Sequence, residues 1–427
     1  MSDLLCPIRR SALICPQYAA IKTETETITY SDLELFIESD IAFLKNTKTL
    51  AIHHPSDVRL IPLIFAAFRL QIPVFILNTY LPQPGQYISQ IKPDLLITPD
   101  NIPPLAKAST IQSDAIYDSK QTATYLLTSG TSSLPKIAMH SLGNHYFSAQ
   151  SVLQKIPLES EDRWLLSLPL YHVGGLAILF RTFMRGAAVV QQKNLHNITH
   201  VSWVSTQLYR FLQTHQSQSL KCLLLGGGPM SKNLYQNALS KKLPLYLSYG
   251  MTEASSQILT AFQPEWSDKL YLGSPLSHFE LKIKDRELHI RGTSLFQGYF
   301  PNKTNDDWFA TGDLAEYHPE KGYTILGRKD NLFISGGENI QPEEIETALL
   351  DVPGISQAVV FPKEDSEFGN RPIAYIDAKH IHSEAILEAL RKKLPGYKVP
   401  IEFHDLKPFL TSGLKPPRKL LLETVNN

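Results

Sequence analysis

With only three cysteines in 427 residues, none in a CxxC pair and none at a zinc-like spacing from histidine, the chain has no disulfide framework and no structural zinc motif. Cys6, Cys15 and Cys222 read as reduced thiols, which points to a cytoplasmic protein. Net charge is missing too: 41 Lys and Arg balance 41 Asp and Glu, so no overall field draws the chain to nucleic acid or to an anionic bilayer. Long apolar runs are also absent. The most apolar stretch, Ile61 to Leu77, is interrupted by Arg69, Gln71 and Pro73, and reads as a buried helix followed by a core strand rather than a stable membrane insertion. Pro7 and Pro16 break up the beginning of the chain around Arg9 and Arg10, so no signal peptide is expected. There is no internal repeat, no low-complexity tract, and no Ser/His/Asp or Cys/His constellation for covalent catalysis.

What remains is the composition of an ordinary folded protein, 43% hydrophobic and 19% charged. Its length suits roughly two or three domains at about 150 residues each. From Thr49 onward, short apolar runs (LAIHH, VFIL, LLIT) alternate with amphipathic segments (IPLIFAAFRL, YISQIKP), and the pattern recurs through AAVVQQ, HVSWVS, TQLYRFLQTH and KCLLLGGG. That alternation predicts layered, mostly parallel α/β sheets. Around Leu281 the texture changes to LKIKD, ELHIRG and YTILGR, a β-rich subdomain over about 270–327. After Arg328 comes a compact α+β pattern: strand NLFIS, helix PEEIETALLD with Pro342 in its first turn, strands QAVVFP and RPIAYID, and helix SEAILEALRKKL. The tail from Pro395 reads as an ordered loop. The expected fold class is α/β, with a large N-terminal domain (1–327), a hinge (328–331) and a small mobile α+β domain (332–427).

Several loops carry chemistry. In TYLLTSGTSSLPK, Thr124 to Lys136, a strand runs into hydroxyl residues and glycine and ends in lysine. Gly130 lets backbone N–H groups approach phosphate oxygens, Thr128, Ser129, Thr131 and Ser132 add donors, and Lys136 supplies a mobile positive charge. It is not a Walker loop, because no Gly precedes the lysine and no Ser or Thr follows it. A plain Ser/Thr-rich turn explains the loop about as well when it is taken alone. LLLGGGPMS and LYLSYGMTEASS are two strands ending in glycine, the place where α/β folds bind ligands. There Gly226, Gly227, Gly228 and Pro229 could lie against a flat base, Tyr249 could stack on it beside Gly250 and Met251, Thr252 could donate to phosphate and Glu253 could hold magnesium. In WFATGDLAEY, Asp313 sits after Gly312 at a turn, placed to accept from ribose hydroxyls, and Arg328 offers a forked donor to the sugar or phosphate. Each of these has a bland alternative: core tyrosine, helix-start carboxylate, turn cap or surface ion pair.

Taken in order, TSGTSSLPK, PLYHVGG, GGGPM, SYGMTE, TGD, GRKDNLFISGGENIQPEEIE and a late Gly-x-Lys resemble the acyl-adenylate-forming superfamily of acyl-CoA synthetases, firefly luciferase and peptide-synthetase adenylation domains. The resemblance covers nearly the whole chain. It implies that ATP, magnesium and coenzyme A are used, that Thr252, Glu253, Asp313 and Arg328 meet phosphate, metal and ribose, and that Lys415 is the cation on the reacting oxygens. It also implies a hinge at Asp330, a thiol-facing segment at Gly336, Gly337 and Glu338, and an acyl-pocket role for His172, for which a satisfied core histidine is an equal alternative. The run THVSWVSTQLYRFL resembles the o-succinylbenzoate:CoA ligase subgroup of menaquinone synthesis, with Thr206 and Gln207 as candidates for lining the acid pocket. A helix-capping Thr and an exposed Gln explain those two almost as well.

Leu414 separates Gly413 from Lys415, a departure that keeps Lys419 and Lys407 as alternatives for the catalytic cation. The expected partners are a small carboxylic acid, ATP and coenzyme A, with oligomeric state left open between monomer and homo-oligomer. The rival readings are a general aryl or fatty acyl-CoA ligase, a non-catalytic relative that binds nucleotide or acid, and a phosphotransferase, which lacks its Walker lysine here.

Overall fold

The computed structural model describes every residue except 1–2, 56, 82, 129–134, 215–218, 229, 268, 305, 379–382, 411–417, 419–420 and 422–427. Two large sheets enclose a layer of helices. One sheet has eight strands, in the order Ser256–Phe262, Leu245–Met251, Cys222–Leu225, His200–Trp203, Arg163–Leu165, Ala188–Gln191, Ala19–Thr23 and Thr27–Thr29. Its pairings are parallel except at the two ends. The other has six strands and is parallel through Leu95–Ile97, Leu50–Ile52, Val74–Ile76 and Thr122–Leu127, then antiparallel to Ile137–Ser141 and Gly298–Tyr299. Leu60–Arg69 lies between the sheets and is buried at every residue, which is why its apolar pattern has no polar face. A single apolar cluster joins this helix to Ile21 and Val189 of one sheet, to Ile52, Val74 and Leu126 of the other, and to Phe180 and Phe183 of the helix Val173–Met184.

A charge sits inside this core. The Arg69 guanidinium, with no exposed side-chain area, pairs with the equally buried Glu34 of the helix Tyr30–Leu44, and Arg9 reaches the other carboxylate oxygen at 2.6 Å. Breaking one side of such a pair strands the other charge. Glu34→Ala is therefore expected to cost about 3–5 kcal/mol, read as a lower urea midpoint. A loss under about 1 kcal/mol would mean water reaches Arg69.

The strands expected after Leu281 form a four-stranded antiparallel sheet, Phe279–Lys284, Glu287–Gly292, Phe309–His318 and Gly322–Arg328. Leu288, Ile290 and Ala315 pack it into the same cluster as Leu225, Leu247 and Ile258 of the eight-stranded sheet. Asp313 lies inside the strand Phe309–His318, not at a turn. The residue before it, Gly312, takes φ +73°, and the register slips between Leu314 and Ala315, so a kinked strand supplies the local bend that the sequence suggested as a turn.

In the last hundred residues the strands Ile355–Asp365, Gly369–Ala378 and Phe403–Asp405 form a separate sheet. Ala358 and Val360 face a cluster containing Ile345, Leu349, Ile386 and Leu390 from the helices Pro342–Leu350 and Ser383–Arg391. Val359 and Phe361 face the opposite way, toward Leu406 and Leu421, as the period of two in a strand requires. The tail expected as a loop thus includes a short strand, Phe403–Asp405, that pairs in parallel with Gly369–Ala378. Among the described residues no helix is long and apolar enough to cross a membrane.

Candidate active site

The loop between Thr122–Leu127 and Ile137–Ser141 is closed at its base by two hydrogen bonds. The N–H of Thr128 donates to the Lys136 carbonyl at 2.9 Å, and the N–H of Lys136 donates to Thr128 Oγ1 at 3.3 Å. Ser129, Gly130, Thr131 and Ser132 of the same loop lie outside the described residues. Lys136 directs its ammonium over the ring of Tyr299, 4.8 Å from the centroid, and the Tyr299 hydroxyl donates to Glu253 Oε1 at 2.6 Å. One tyrosine therefore joins the loop lysine to the acidic residue. Burial, reinforced by the neighbouring Glu253 charge, raises the Tyr299 pKa and keeps its proton in that bond.

Glu253 belongs to the short 3-10 turn Thr252–Ala254, entered from the strand Leu245–Met251. Gly250 is required where that strand ends, because a Cβ there would lie 1.7 Å from the Ser256 carbonyl oxygen. From the same strand, Tyr249 donates its hydroxyl to Asp313 Oδ2. Its polar end is thus committed, and its ring packs against the apolar cluster of the eight-stranded sheet. Asp313 stands opposite Arg328 in the ladder and accepts from Arg328 Nη1 at 3.3 Å. Arg328 Nη2 reaches Asp330 at 3.1 Å. Burial raises the Asp313 pKa, against the lowering effect of Tyr249 and Arg328.

Lys136, Glu253, Asp313 and Arg328, named from four separate stretches of sequence, therefore fall into two contact sets, Lys136–Tyr299–Glu253 and Tyr249–Asp313–Arg328, joined by the strand Leu245–Met251, which carries Tyr249 and leads into Glu253. The glycine turn adjoins it: Gly226 packs against Ser248 Oγ, Gly227 takes φ +86°, and open space surrounds Gly228. Pro229 is outside the described residues.

Of the other predicted positions, Asp330 meets Arg328. His172 is the residue before the helix Val173–Met184, its ring 4.6 Å from that of Tyr171. Thr206 and Gln207 open the helix Ser205–Leu212, and Gln207 Oε1 accepts from the Val204 N–H at 3.0 Å, a capping role. Gly336 and Gly337, with φ of +55° and +85°, form an exposed turn ahead of Glu338, which begins the strand Glu338–Ile340, and the Gly336 N–H donates to the Phe368 carbonyl at 2.9 Å. Asp330 lies in the connection between the four-stranded sheet and the small unit. There Gln341 Nε2 donates to the Arg328 carbonyl at 2.9 Å, and Glu343 accepts from the N–H of Arg328 and from Asn331. Lys415 and Lys419 lie outside the described residues. Lys407 donates its ammonium to the Ala378 carbonyl at 2.7 Å.

Sequence reasoning missed Tyr299, His140 and Arg181. Arg181 is 1% exposed, on the helix that His172 begins. It donates to Ser256 Oγ at 3.1 Å, lies over Trp164, and forms no ion pair with a carboxylate among the described residues. Burial lowers its pKa to about 10, which still leaves it charged at neutral pH. The available signal was an arginine inside the apolar run GGLAILFRTFM with no acidic residue nearby in sequence.

Among the described residues no cluster of three or more His, Cys, Asp or Glu could cage a metal. A cation here would rest on Glu253 and on phosphate oxygens, the mode that suits magnesium with a nucleotide.

The AMP-binding enzyme model matches residues 85–300, and the model of the AMP-binding enzyme C-terminal domain matches 344–410. The chain belongs to the AMP-binding enzyme family. The 2-succinylbenzoate–CoA ligase of Escherichia coli is 37% identical over 82% of this chain and 81% of its own length. Two solved structures of o-succinylbenzoate CoA synthetase from Bacillus subtilis superpose closely. The complex with the acyl-adenylate intermediate OSB-AMP has a TM-score of 0.88 at 28% identity, covering 99% of this chain and 98% of that one. The complex with ATP and magnesium ion has a TM-score of 0.86 at 29% identity, covering 98% and 100%. The fold is thus that of a large N-terminal and a small C-terminal domain, as the resemblance implied.

Proposed function

We propose that this AMP-binding enzyme is an ATP-dependent o-succinylbenzoate:CoA ligase. It adenylates the acid with release of pyrophosphate, then forms the CoA thioester with release of AMP. The observation that supports the reading is that Lys136 and Glu253 share Tyr299, that Tyr249 and Arg328 share Asp313, and that the strand carrying Tyr249 leads into Glu253, an arrangement suited to phosphate-, metal- and ribose-binding groups around one nucleotide.

In the first half-reaction a carboxylate oxygen attacks the α-phosphorus and the bond to the pyrophosphate oxygen breaks. Thr128 and Lys136, with Ser129, Gly130, Thr131 and Ser132, hold the departing phosphates. Gly226, Gly227, Gly228, Pro229, Tyr249, Gly250 and Met251 border the base, Asp313 accepts from the ribose hydroxyls, and Arg328 faces sugar or phosphate. Magnesium, held by Glu253 and the phosphates, would offset the charge on the leaving group. Thr252 donates to phosphate. Lys415 neutralises the oxygens that gain charge, as a fixed cation does best in a site closed to water. In the second half-reaction the small domain turns about Asp330 and brings Gly336, Gly337 and Glu338 toward the thiol. The sulfur attacks the acyl carbonyl, the thiol loses its proton, and the bond to AMP breaks.

The acid carries two carboxylates, and only one is consumed. Arg181, buried with no ion pair to a carboxylate among the described residues and bonded to Ser256 beside the strand bearing Gly250, is the cation suited to the other, with His172, Thr206 and Gln207 as further candidates for the lining of the acid pocket. The relatives named above act on or bind this acid or its adenylate, which supports the same choice.

The test is exchange of labelled pyrophosphate into ATP with o-succinylbenzoate, benzoate and a fatty acid in parallel. Exchange is expected with o-succinylbenzoate, falling by about 10²–10³-fold in Lys415→Ala. Exchange with benzoate or the fatty acid alone would refute the choice of acid, and an active Lys415→Ala would refute that lysine.

A further inference from the structure

The turn bearing Glu253 is tied to the segments around His140 and around Phe296. The Thr252 carbonyl accepts from His140 Nε2 at 2.7 Å, the Glu253 carbonyl accepts from the Phe296 N–H at 2.8 Å, and the Glu253 carboxylate accepts from Tyr299. His140 and Tyr299 belong to one antiparallel pairing, in which Met139 and Ala138 of Ile137–Ser141 face Gly298 and Tyr299, and Phe296 lies just before that pairing in sequence. Ile137–Ser141 begins immediately after Lys136, and strand alternation puts residues 136, 138 and 140 on one face. The strand that leaves the phosphate loop thus also carries the support for the acidic turn.

His140 is fully buried, and its Nδ1 has no hydrogen-bond partner among the described residues. Because its Nε2 partner is a carbonyl, Nε2 must carry the hydrogen. The ring is fixed by its neighbours: His145 lies 5.3 Å from it, is itself bonded through Nε2 to Thr124 Oγ1 at 2.8 Å, and stacks on Phe180. An aliphatic residue could fill this space without an unpartnered nitrogen. The Thr252 carbonyl already accepts from the Ser255 N–H at 3.0 Å, so the imidazole is not needed merely to satisfy it. Its specific contribution is direction, since it ties the turn to the strand that starts at Lys136.

We infer that His140 is a positioning residue for adenylation, setting the Thr252–Glu253 turn relative to the phosphate loop through its Nε2–H. This rests on the reading of the site given above. A positioning error acts on the step in which pyrophosphate leaves and spares the attack of the thiol on a finished adenylate.

The experiment measures the half-reactions separately in the full chain: pyrophosphate exchange with o-succinylbenzoate, and thioester formation from supplied o-succinylbenzoyl-adenylate and coenzyme A. His140→Leu is expected to lower the exchange rate constant by about 10- to 100-fold, leave thioester formation within about twofold, and move the KM for ATP by less than about threefold. His140→Gln, which keeps an N–H at the position of Nε2, is expected to recover exchange to within about threefold of the unmodified protein. Unchanged exchange in His140→Leu, an equal fall in both half-reactions, or a Gln variant as poor as the Leu variant would each overturn the assignment. If the Leu variant does not fold, Gln against His140→Asn decides, because the shorter amide cannot reach Thr252. An unmodified protein that exchanges with no acid refutes the reading of the site itself, a result separate from any difference among the variants.

Discussion

Glu253→Gln is expected to reduce pyrophosphate exchange by about 10²–10³-fold, with a steep rise in the magnesium concentration needed for half-maximal rate. The substitution keeps the shape and still offers a carbonyl oxygen to the Tyr299 hydroxyl, so the contact at 2.6 Å can persist and the fold should not change. What it removes is the negative charge. Glu253 is 8% exposed and belongs to no cluster of three potential metal-ligating groups among the described residues, so no neighbouring cluster can take over the cation. Thioester formation from supplied acyl-adenylate and coenzyme A should change little, because pyrophosphate is no longer present in that step. Equal losses in both half-reactions would assign Glu253 to holding the fold instead of the metal.

For Arg181→Met the expected result has two opposite signs. Activity with o-succinylbenzoate should fall by about 10²–10³ in kcat/KM, since truncating one partner of a buried charge pair removes several kcal/mol. Slow activity with benzoate, which has no second carboxylate, should move by less than about threefold. Without ligand, however, the variant should be as stable as the unmodified protein or more so. A buried guanidinium that forms no ion pair among the described residues is a cost to the free protein, and an apolar side chain of similar length relieves it. Function and stability trade in this way when a charge is kept for a ligand that supplies its counterion. Thermal melting of the free protein and steady-state assays on the two acids together check this. A destabilised variant with unchanged acid preference would mean that Arg181 serves Ser256 and Trp164 alone.

The sequence was most readable where chemistry needs a particular residue at a particular chain position. Lys136 precedes a strand, Glu253 follows one, Asp313 and Arg328 each follow a glycine, and Tyr299 and Tyr249 link them in the fold. The parallel strands of the two large sheets between Thr49 and Leu225 were also readable, because they are largely buried and stand out as apolar runs. Less readable were elements whose identity depends on distant partners. Ala19–Thr23 contains a lysine and a threonine and looks unremarkable in sequence, yet it pairs in parallel with Ala188–Gln191 across the large sheet. Asp313 was placed at a turn because Gly312 suggested one, whereas pairing with Arg328 keeps the chain in a ladder. Tyr299 and His140 gave no local signal, since their importance lies in which atoms they touch across sequence distances of 46 and 112 residues. Arg181 was overlooked for a different reason: a charge in an apolar helix means little until its surroundings show that no acid among the described residues answers it.

The central claim is that groups from separate loops grip one magnesium nucleotide in one cleft. A crystal structure of the protein soaked with ATP and magnesium tests it most directly. The expected density has the ribose hydroxyls within hydrogen-bond distance of Asp313, the phosphates between Thr128 and Lys136, and the metal on Glu253. Nucleotide bound away from the Tyr299 and Tyr249 bridges, or a metal that leaves Glu253 untouched, would contradict it.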